Sequence, residues 1–469
     1  MSVPSAPRTG EAEQPPGRQP ARADMTSQPT LVDGTELVGE FEGSGYREPP
    51  QLVCRPDGQL VRLPAMLYQV IKALDSRHAE LRGQPVPGRE SVMAQVADEL
   101  SRETGRQFSS EHVAFLIDQK LAPLGLTTYS DGSPPPPTAK SDPFLAFRFR
   151  LAVLPEHITW YLSGLFAWLF RPVLVFLTVC AFVAGEVWLW ITQNTSAALQ
   201  SVLSAPASVL LVFFLAIASC AFHEMGHGAA CRYGGVRPGP MGCGIYLVWP
   251  AFYTDITNSY RLGRAGRIRA DLGGVYFNAL FVLGLLALYV STGFQPLVVA
   301  ILSVNLEIIQ QLLPTLRFDG YYIVADLVGI PDLFKYIGPI LRRVLLRQPH
   351  DGRLQALKRW PQAIVAVWVM CVVPVLLLQL GMVVFKLPQL LQSDWQRTNL
   401  LVENALTAGS QPLGMASACL QILLLALPVA GLTLALARPA RSVIRMASRR
   451  MTLRRRTEAH GRQPHAESG

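Results

Sequence analysis

The chain has 469 residues, half of them hydrophobic, with seven cysteines and a formal net charge of +9. An odd cysteine count, no Cys-x-x-Cys and several cysteines inside apolar runs argue against a disulfide framework. The excess positive charge calls for no nucleic acid, because a cytoplasmic membrane surface accounts for it.

Residues 1–45 are polar and rich in Pro, Gly and Glu, the composition of a disordered segment, and they lack the apolar core of a secretory signal. A small domain is expected over 46–130. Gln51-Leu52-Val53-Cys54 and Gln59-Leu60-Val61-Arg62-Leu63 flank Pro56-Asp57-Gly58, a hairpin signal. Helical spacing follows in Leu67, Val70, Ile71 and Leu74, then in Val92, Val96 and Leu100, then in Val113, Leu116, Ile117 and Leu121. A strand pair with three helices predicts a winged-helix-like α+β module, too small for an enzyme and adequate for binding. Its last helix, 111–122, is not rich in Arg or Lys, which disfavours DNA. Residues 131–150 read as a stiff linker, with four prolines between Ser133 and Thr138.

Residues 151–440 are expected to form a polytopic α-helical membrane domain, and 441–469 a basic cytoplasmic tail. The aromatic-rich stretch 153–170 reads as an interfacial helix. Six spans are expected at about 172–191, 207–228, 271–291, 296–315, 361–385 and 413–436, each near the length needed to cross. The connection 229–270 carries six arginines, 316–359 carries eight Arg or Lys, and the tail from 437 carries nine arginines. The connections 192–206 and 292–295 carry none, and 386–412 carries only Lys386 and Arg397. The positive-inside rule then puts both termini on the cytoplasmic side of the inner membrane.

His223-Glu224-Met225-Gly226-His227 stands at the inner end of the apolar run Ala205–Ala230. Ionisable residues at membrane depth are expensive and call for a function. Histidines four apart lie on one side of a helix and can share a Zn²⁺, and Glu224 beside them can move a proton between water and a leaving amine. A further ligand must come from elsewhere. Asp319 ends a second apolar run, 297–316, and Glu307 within that run is its rival; Asp255 and Asp271 are weaker candidates beside arginines. Asp319 can equally cap a helix or pair with Arg317. Cys220 precedes His223 by three residues, but a fourth protein ligand would close the open position that hydrolysis needs.

Between the zinc motif and the third span, the glycines of 239–244 and the β-branched and aromatic stretch 245–250 suggest a short strand or hairpin. Its edge can pair with an extended peptide, or it can be a packing loop. Asp255 and Asn258 are candidates to orient a ligand histidine.

Three segments in order carry a resemblance to the site-2 protease class of intramembrane zinc metallopeptidases: His223-Glu224-x-x-His227, Gly274-Val275-Tyr276-Phe277-Asn278 and Asp319-Gly320. The resemblance covers roughly residues 150–440. It implies that His223, His227 and Asp319 bind Zn²⁺, that Glu224 is the general base, and that Asn278 helps hold the substrate backbone or the oxyanion. Val275 stands where the family has proline. Phe318-Asp319-Gly320-Tyr321-Tyr322 is similar to a bacterial subgroup of peptide zinc metalloproteases linked to making or exporting ribosomal peptides. The family is also held to present substrate as an extended strand.

The 46–130 module resembles the PqqD-like domain that recognises precursor peptides, through its opening hairpin, Leu63-Pro64-Ala65-Met66-Leu67-Tyr68 and its closing helices. That likeness implies a leader peptide added as a strand to the hairpin edge. The two resemblances together imply a membrane metalloendopeptidase that removes the leader of a ribosomally made precursor peptide, with peptide-modifying enzymes or a transporter as further partners. Regulated intramembrane proteolysis of a membrane-anchored regulator is the alternative, and a non-proteolytic export or immunity component is a third. The chain does not disclose its oligomeric state.

Overall fold

The computed structural model describes residues 28–80, 89–138, 147–246, 249–347, 352–407, 412, 414–423 and 426. The expected tail 441–469, residues 1–27, most of the latter half of the linker and most of the sixth expected span lie outside the described residues. The chain is largely helical with two three-stranded sheets. Its contacts divide it into two units. One comprises the chain up to Ser141 except Phe41–Arg47; the other comprises Phe41–Arg47 and everything from Asp142.

The first unit contains strands β1 (Glu36–Glu40), β2 (Gln51–Cys54) and β3 (Leu60–Leu63), followed by helices α1 (Ala65–Glu80), α2 (Arg89–Thr104) and α3 (Ser110–Leu116). The β2–β3 hairpin is the expected one, turned at Gly58 with φ +81°. The sheet has a third strand that local patterning missed. β1 pairs antiparallel with β2 across a bulge at Leu37/Gly39, and it lies inside the stretch whose composition reads as disordered. Five residues of mixed polarity carry little period-2 signal, and their backbone hydrogen bonds come from β2 across the Phe41–Pro50 connection. Val53, Leu63, Val70, Ile71, Val96 and Ile117 meet in one apolar core. Ser109 caps α3 in a capping box with His112.

The second unit opens with β4 (Phe147–Leu154) and α4 (Glu156–Ala167), then α5 (Pro172–Thr192), α6 (Thr195–Leu203) and α7 (Pro206–Tyr233). Strands β5 (Met241–Tyr246) and β6 (Trp249–Thr254) follow, then α8 (Arg264–Asp271), α9 (Gly273–Thr292), α10 (Pro296–Leu312) and α11 (Asp319–Val328). The described chain closes with α12 (Ile337–Leu346), α13 (Gly352–Gln355), α14 (Arg359–Thr407) and the short apolar helix Gly414–Leu423. Proline in the first turn starts α5, α7 and α10, where its missing N–H costs nothing.

Among the described residues, four helices are long and apolar enough to cross a membrane: α5, α7, α9 and the Arg359–Gln389 part of α14. These match the first, second, third and fifth expected spans, and six crossings are not established. α10 is apolar but has 17 residues, about 25 Å of helix against a hydrocarbon core of about 30 Å. The connection 192–206 is not a plain loop, because Asn194 caps α6 within it. The expected hairpin near 239–250 is present as β5–β6, and β4, from the end of the expected linker, adds to it in the order β4-β5-β6.

The contact between α7 and α9 fixes the helix that carries the histidine motif. A Cβ on Gly226 would lie 2.2 Å from the carbonyl oxygen of Gly273, and one on Gly273 would lie 2.6 Å from that of Gly226. Only glycine at both places allows this backbone approach. Gly226→Ala is expected to destabilise the protein by roughly 1–3 kcal/mol, since the helices must part. Gly381→Ala on α14, where nothing lies within 4 Å, should not. Thermal unfolding midpoints of the purified membrane protein check the pair.

Candidate metal centre

His223 and His227 occupy successive turns of α7, and Asp319 is the first residue of α11. The structure brings these three together and leaves the other candidate carboxylates apart. Their three ligand atoms lie within 4.8 Å of one another. The Nε2 atoms of the two histidines are 3.2 Å apart, and Oδ2 of Asp319 is 3.1 Å from the first and 3.5 Å from the second. Tetrahedral zinc with ligand bonds of about 2.0–2.1 Å separates its ligands by about 3.3–3.4 Å. The observed triangle fits. Both histidines are buried, and a Cβ on Gly274 would lie 2.3 Å from His223 Nε2, so this glycine of the second motif makes room for the ring.

Burial disfavours charge on Asp319, but His227 and His223 beside it outweigh that and hold its carboxyl below the usual range. With its proton on Nδ1, His227 donates to the carbonyl of Ala270 at 2.7 Å and turns the Nε2 lone pair toward Asp319. Glu224 lines the same cavity, and its backbone carbonyl accepts from Thr254 Oγ1 at 2.9 Å, tying α7 to β6.

That cavity is about 230 Å³. β6 forms one wall through Ala251–Thr254, Tyr246, Phe318 and Tyr322 another, and Asp271 and Asp326 also line it. The metal trio and Glu224 therefore face an aromatic cleft bounded by the β6 backbone.

The remaining candidates have other partners. Glu307 on α10 lies against Ser219, Cys220 and Asn278 and shares a charge interaction with His223, so it stands beside that histidine and is not one of the trio. Asn278 is fully buried, accepts from Ser219 Oγ at 3.2 Å, and is not among the residues lining the cavity. Asp255 accepts from Thr257 N and Oγ1 in a local turn, and Asn258 donates to the carbonyl of Arg237. Arg317 stands 3.7 Å from Asp332, and Asp319 is left to the histidines. Cys220 and the other six cysteines are free thiols.

A group that the sequence reading missed is Arg267. Its side chain is fully buried, and Nε donates to Asp326 Oδ1 at 3.0 Å while Nη1 donates to the carbonyl of Leu262 at 2.8 Å. Arg267 and Ala270 share the last turns of α8, and Asp326 lies two turns after Asp319 on α11. The pair therefore joins the helix that orients His227 to the helix that supplies Asp319. Asp271, outside α9, faces Asp326, and burial and the neighbouring carboxylate push it well above the usual carboxylate range. Spacing alone carried no signal for this, because Arg267 reads as one of six loop arginines.

Two substitutions probe the arrangement. Asp326→Asn leaves Arg267 buried without its counter-charge and is expected to cost about 3–5 kcal/mol, read by reversible SDS unfolding. Gly274→Ala should displace His223 and lower zinc affinity about 10–100-fold, read by chelator competition, because the ring loses its place against α9.

No family model matches the chain, and no solved structure matches it. The chain is 24% identical over 131 residues to a protein of Bacillus subtilis (strain 168) named "Putative peptide zinc metalloprotease protein YydH". That alignment covers 27% of this chain and 51% of the other protein, so the chain spans about half the length of the curated relative it matches.

Proposed function

We propose that this chain is an intramembrane zinc metalloendopeptidase that cleaves a peptide bond at the cytoplasmic membrane face, removing the leader of a ribosomally made precursor peptide. The single observation that carries the reading is the His223–His227–Asp319 triangle of zinc-ligand dimensions with Glu224 in the same cavity. The name of the Bacillus subtilis protein supports the same class of chemistry.

His223, His227 and Asp319 would hold the metal. Zinc bound there supplies the Lewis acidity that activates water and polarises the scissile carbonyl. Glu224 takes the proton released as the water oxygen bonds to the carbonyl carbon. It returns that proton to the leaving nitrogen as the C–N bond breaks, so water is added across the bond and nothing else is consumed.

β6 offers a way to hold the substrate extended. Asp255 N donates to the carbonyl of Pro240, which sets the alternation of the β5–β6 ladder. In the register Gly242↔Tyr253 and Gly244↔Ala251, the backbone groups of Phe252 and Thr254 then face away from β5. They carry no backbone partner among the described residues. Pro250 falls on the same outward side, where it has no N–H to lose. A substrate strand added to this edge would lie along the wall that contains Glu224 and the metal trio. In this reading the β1–β3 unit captures the leader and raises the local concentration of the scissile bond. The role of Asn278 in holding the substrate backbone or the oxyanion finds no support in the cavity lining, from which it is absent.

The test is mass spectrometry of a candidate precursor peptide co-expressed with the native chain or with Glu224→Gln. A shortened peptide is expected only with the native chain, and the variant should lose about 10²–10⁴-fold in cleavage rate. Identical masses, with zinc bound and both proteins expressed, would reject that precursor and favour a membrane-anchored regulator as substrate.

A further inference from the structure

Residues Phe41–Arg47 precede β2 in the chain but are built into the second unit. The carbonyl of Glu42 accepts from Arg267 Nη2 at 3.1 Å, and that of Gly43 from Arg264 Nη2 at 2.8 Å. Gly45 N donates to the carbonyl of Gly329, and the carbonyl of Gly45 accepts from Lys358 N. Arg47 N donates to the carbonyl of Ala356 at 2.8 Å. A Cβ on Gly45 would lie 2.2 Å from the carbonyl oxygen of Val328, and one on Gly329 would lie 2.1 Å from that of Gly43. The strap is threaded against the end of α11 with no space to spare.

Its first residue reaches furthest. Phe41 is fully buried, its ring centroid lies 6.0 Å from that of Tyr260 on the cavity lining, and the Arg267 guanidinium stands 4.3 Å above it. Arg267 is thus held from three sides, by Phe41 and Glu42 of the strap, by Leu262, and by Asp326. A guanidinium in a fixed orientation presents its Nε in one direction, here to α11.

We propose that the strap Phe41–Arg47 is a positioning element of the metal centre, acting through Arg267. Phe41 and the Glu42 carbonyl hold the guanidinium against Asp326. That pair keeps α8 and α11 in register, so that the Ala270 carbonyl aims His227 and Asp319 meets its Nε2. The inference rests on the trio binding a metal. It makes a segment some 180 residues before the histidine motif part of the site's geometry, and it gives Phe41, Glu42 and Arg267 a role beyond holding the fold.

The experiment uses the full-length protein with Phe41→Leu, which keeps apolar volume and removes the ring from beneath Arg267, and with Phe41→Ala. Tyr289→Phe serves as the stability control. It loses the hydrogen bond to Gln193 in a core that includes α6 and α10, away from the trio. Three quantities are read: zinc affinity by chelator competition, the visible d–d spectrum of the Co²⁺-loaded protein, and the thermal midpoint. Phe41→Leu should weaken zinc about tenfold, the lower end for loss of an outer-shell partner, and should alter the Co²⁺ spectrum. Tyr289→Phe should lower only the midpoint. If both Phe41 variants lower the midpoint yet keep native zinc affinity and the native spectrum, the strap is only a structural anchor and the proposal is overturned. If the native protein itself takes up neither Zn²⁺ nor Co²⁺, the metal reading fails first and the strap proposal falls with it.

Discussion

Three polar atoms converging on one point constrain everything around them. Two imidazole Nε2 atoms and a carboxylate oxygen lie 3.1–3.5 Å from one another in a buried place, an arrangement that needs a proton or a metal ion between them to be favourable. The helices that carry them must be held firmly enough to keep the triangle whether or not the cation is bound. Much of the second unit can be understood as the means of holding two α7 side chains and one α11 side chain at that spacing.

Sterics and charge divide this task. α7 is fixed against α9 by glycine at Gly226 and Gly273, which brings the backbones into contact, and Gly274 leaves the His223 ring the space a methyl group would take. α11 is fixed by Arg267–Asp326, a buried ion pair whose directional Nε–Oδ1 contact sets the position of one helix relative to another. A buried pair of this kind adds little net stability over an apolar contact of the same shape, but it strongly penalises any arrangement that separates its members. That penalty against separation is the property a metal site needs. Glu307 interacts with His223 and bonds to Ser219 and Asn278, so polar side chains of α7, α9 and α10 meet one another beside the trio.

Much of the site was legible in the chain itself. The i, i+4 histidines needed only a helix to bring their rings together, and the apolar run Ala205–Ala230 made that helix evident. Asp319 was legible as the leading candidate because it stands at the end of an apolar run, with Glu307 deeper in that run as its rival. Only the packing of α10 decides between them, turning Glu307 toward Ser219 and Asn278 and leaving Asp319 to complete the triangle. The β5–β6 hairpin was legible from its glycines and aromatics. β4 was not, because its partner β5 lies some ninety residues further along the chain, and β1 was not, because its five residues of mixed polarity have weak alternation. Four of the six expected spans appear among the described residues as helices long and apolar enough to cross. Hydropathy registers α10 as a span, while the structure makes it a 17-residue helix whose Val298, Ile301 and Val304 are buried in a core that includes α6.

The sequence by itself determined the chemistry within one or two helical turns: the paired histidines, the adjacent Glu224, the apolar helices and the turn glycines. These follow from local periodicity and backbone sterics, which act between near neighbours. Tertiary structure alone decided that Asp319 joins the two histidines, the open edge of β6, the joint between Arg267 and Asp326, and the burial of Phe41 beneath that arginine. Each of those depends on a donor, acceptor or ring meeting its partner across tens to hundreds of residues. No periodicity in the chain encodes such a distance; the meeting is set by helix packing and by the need to satisfy every buried charge.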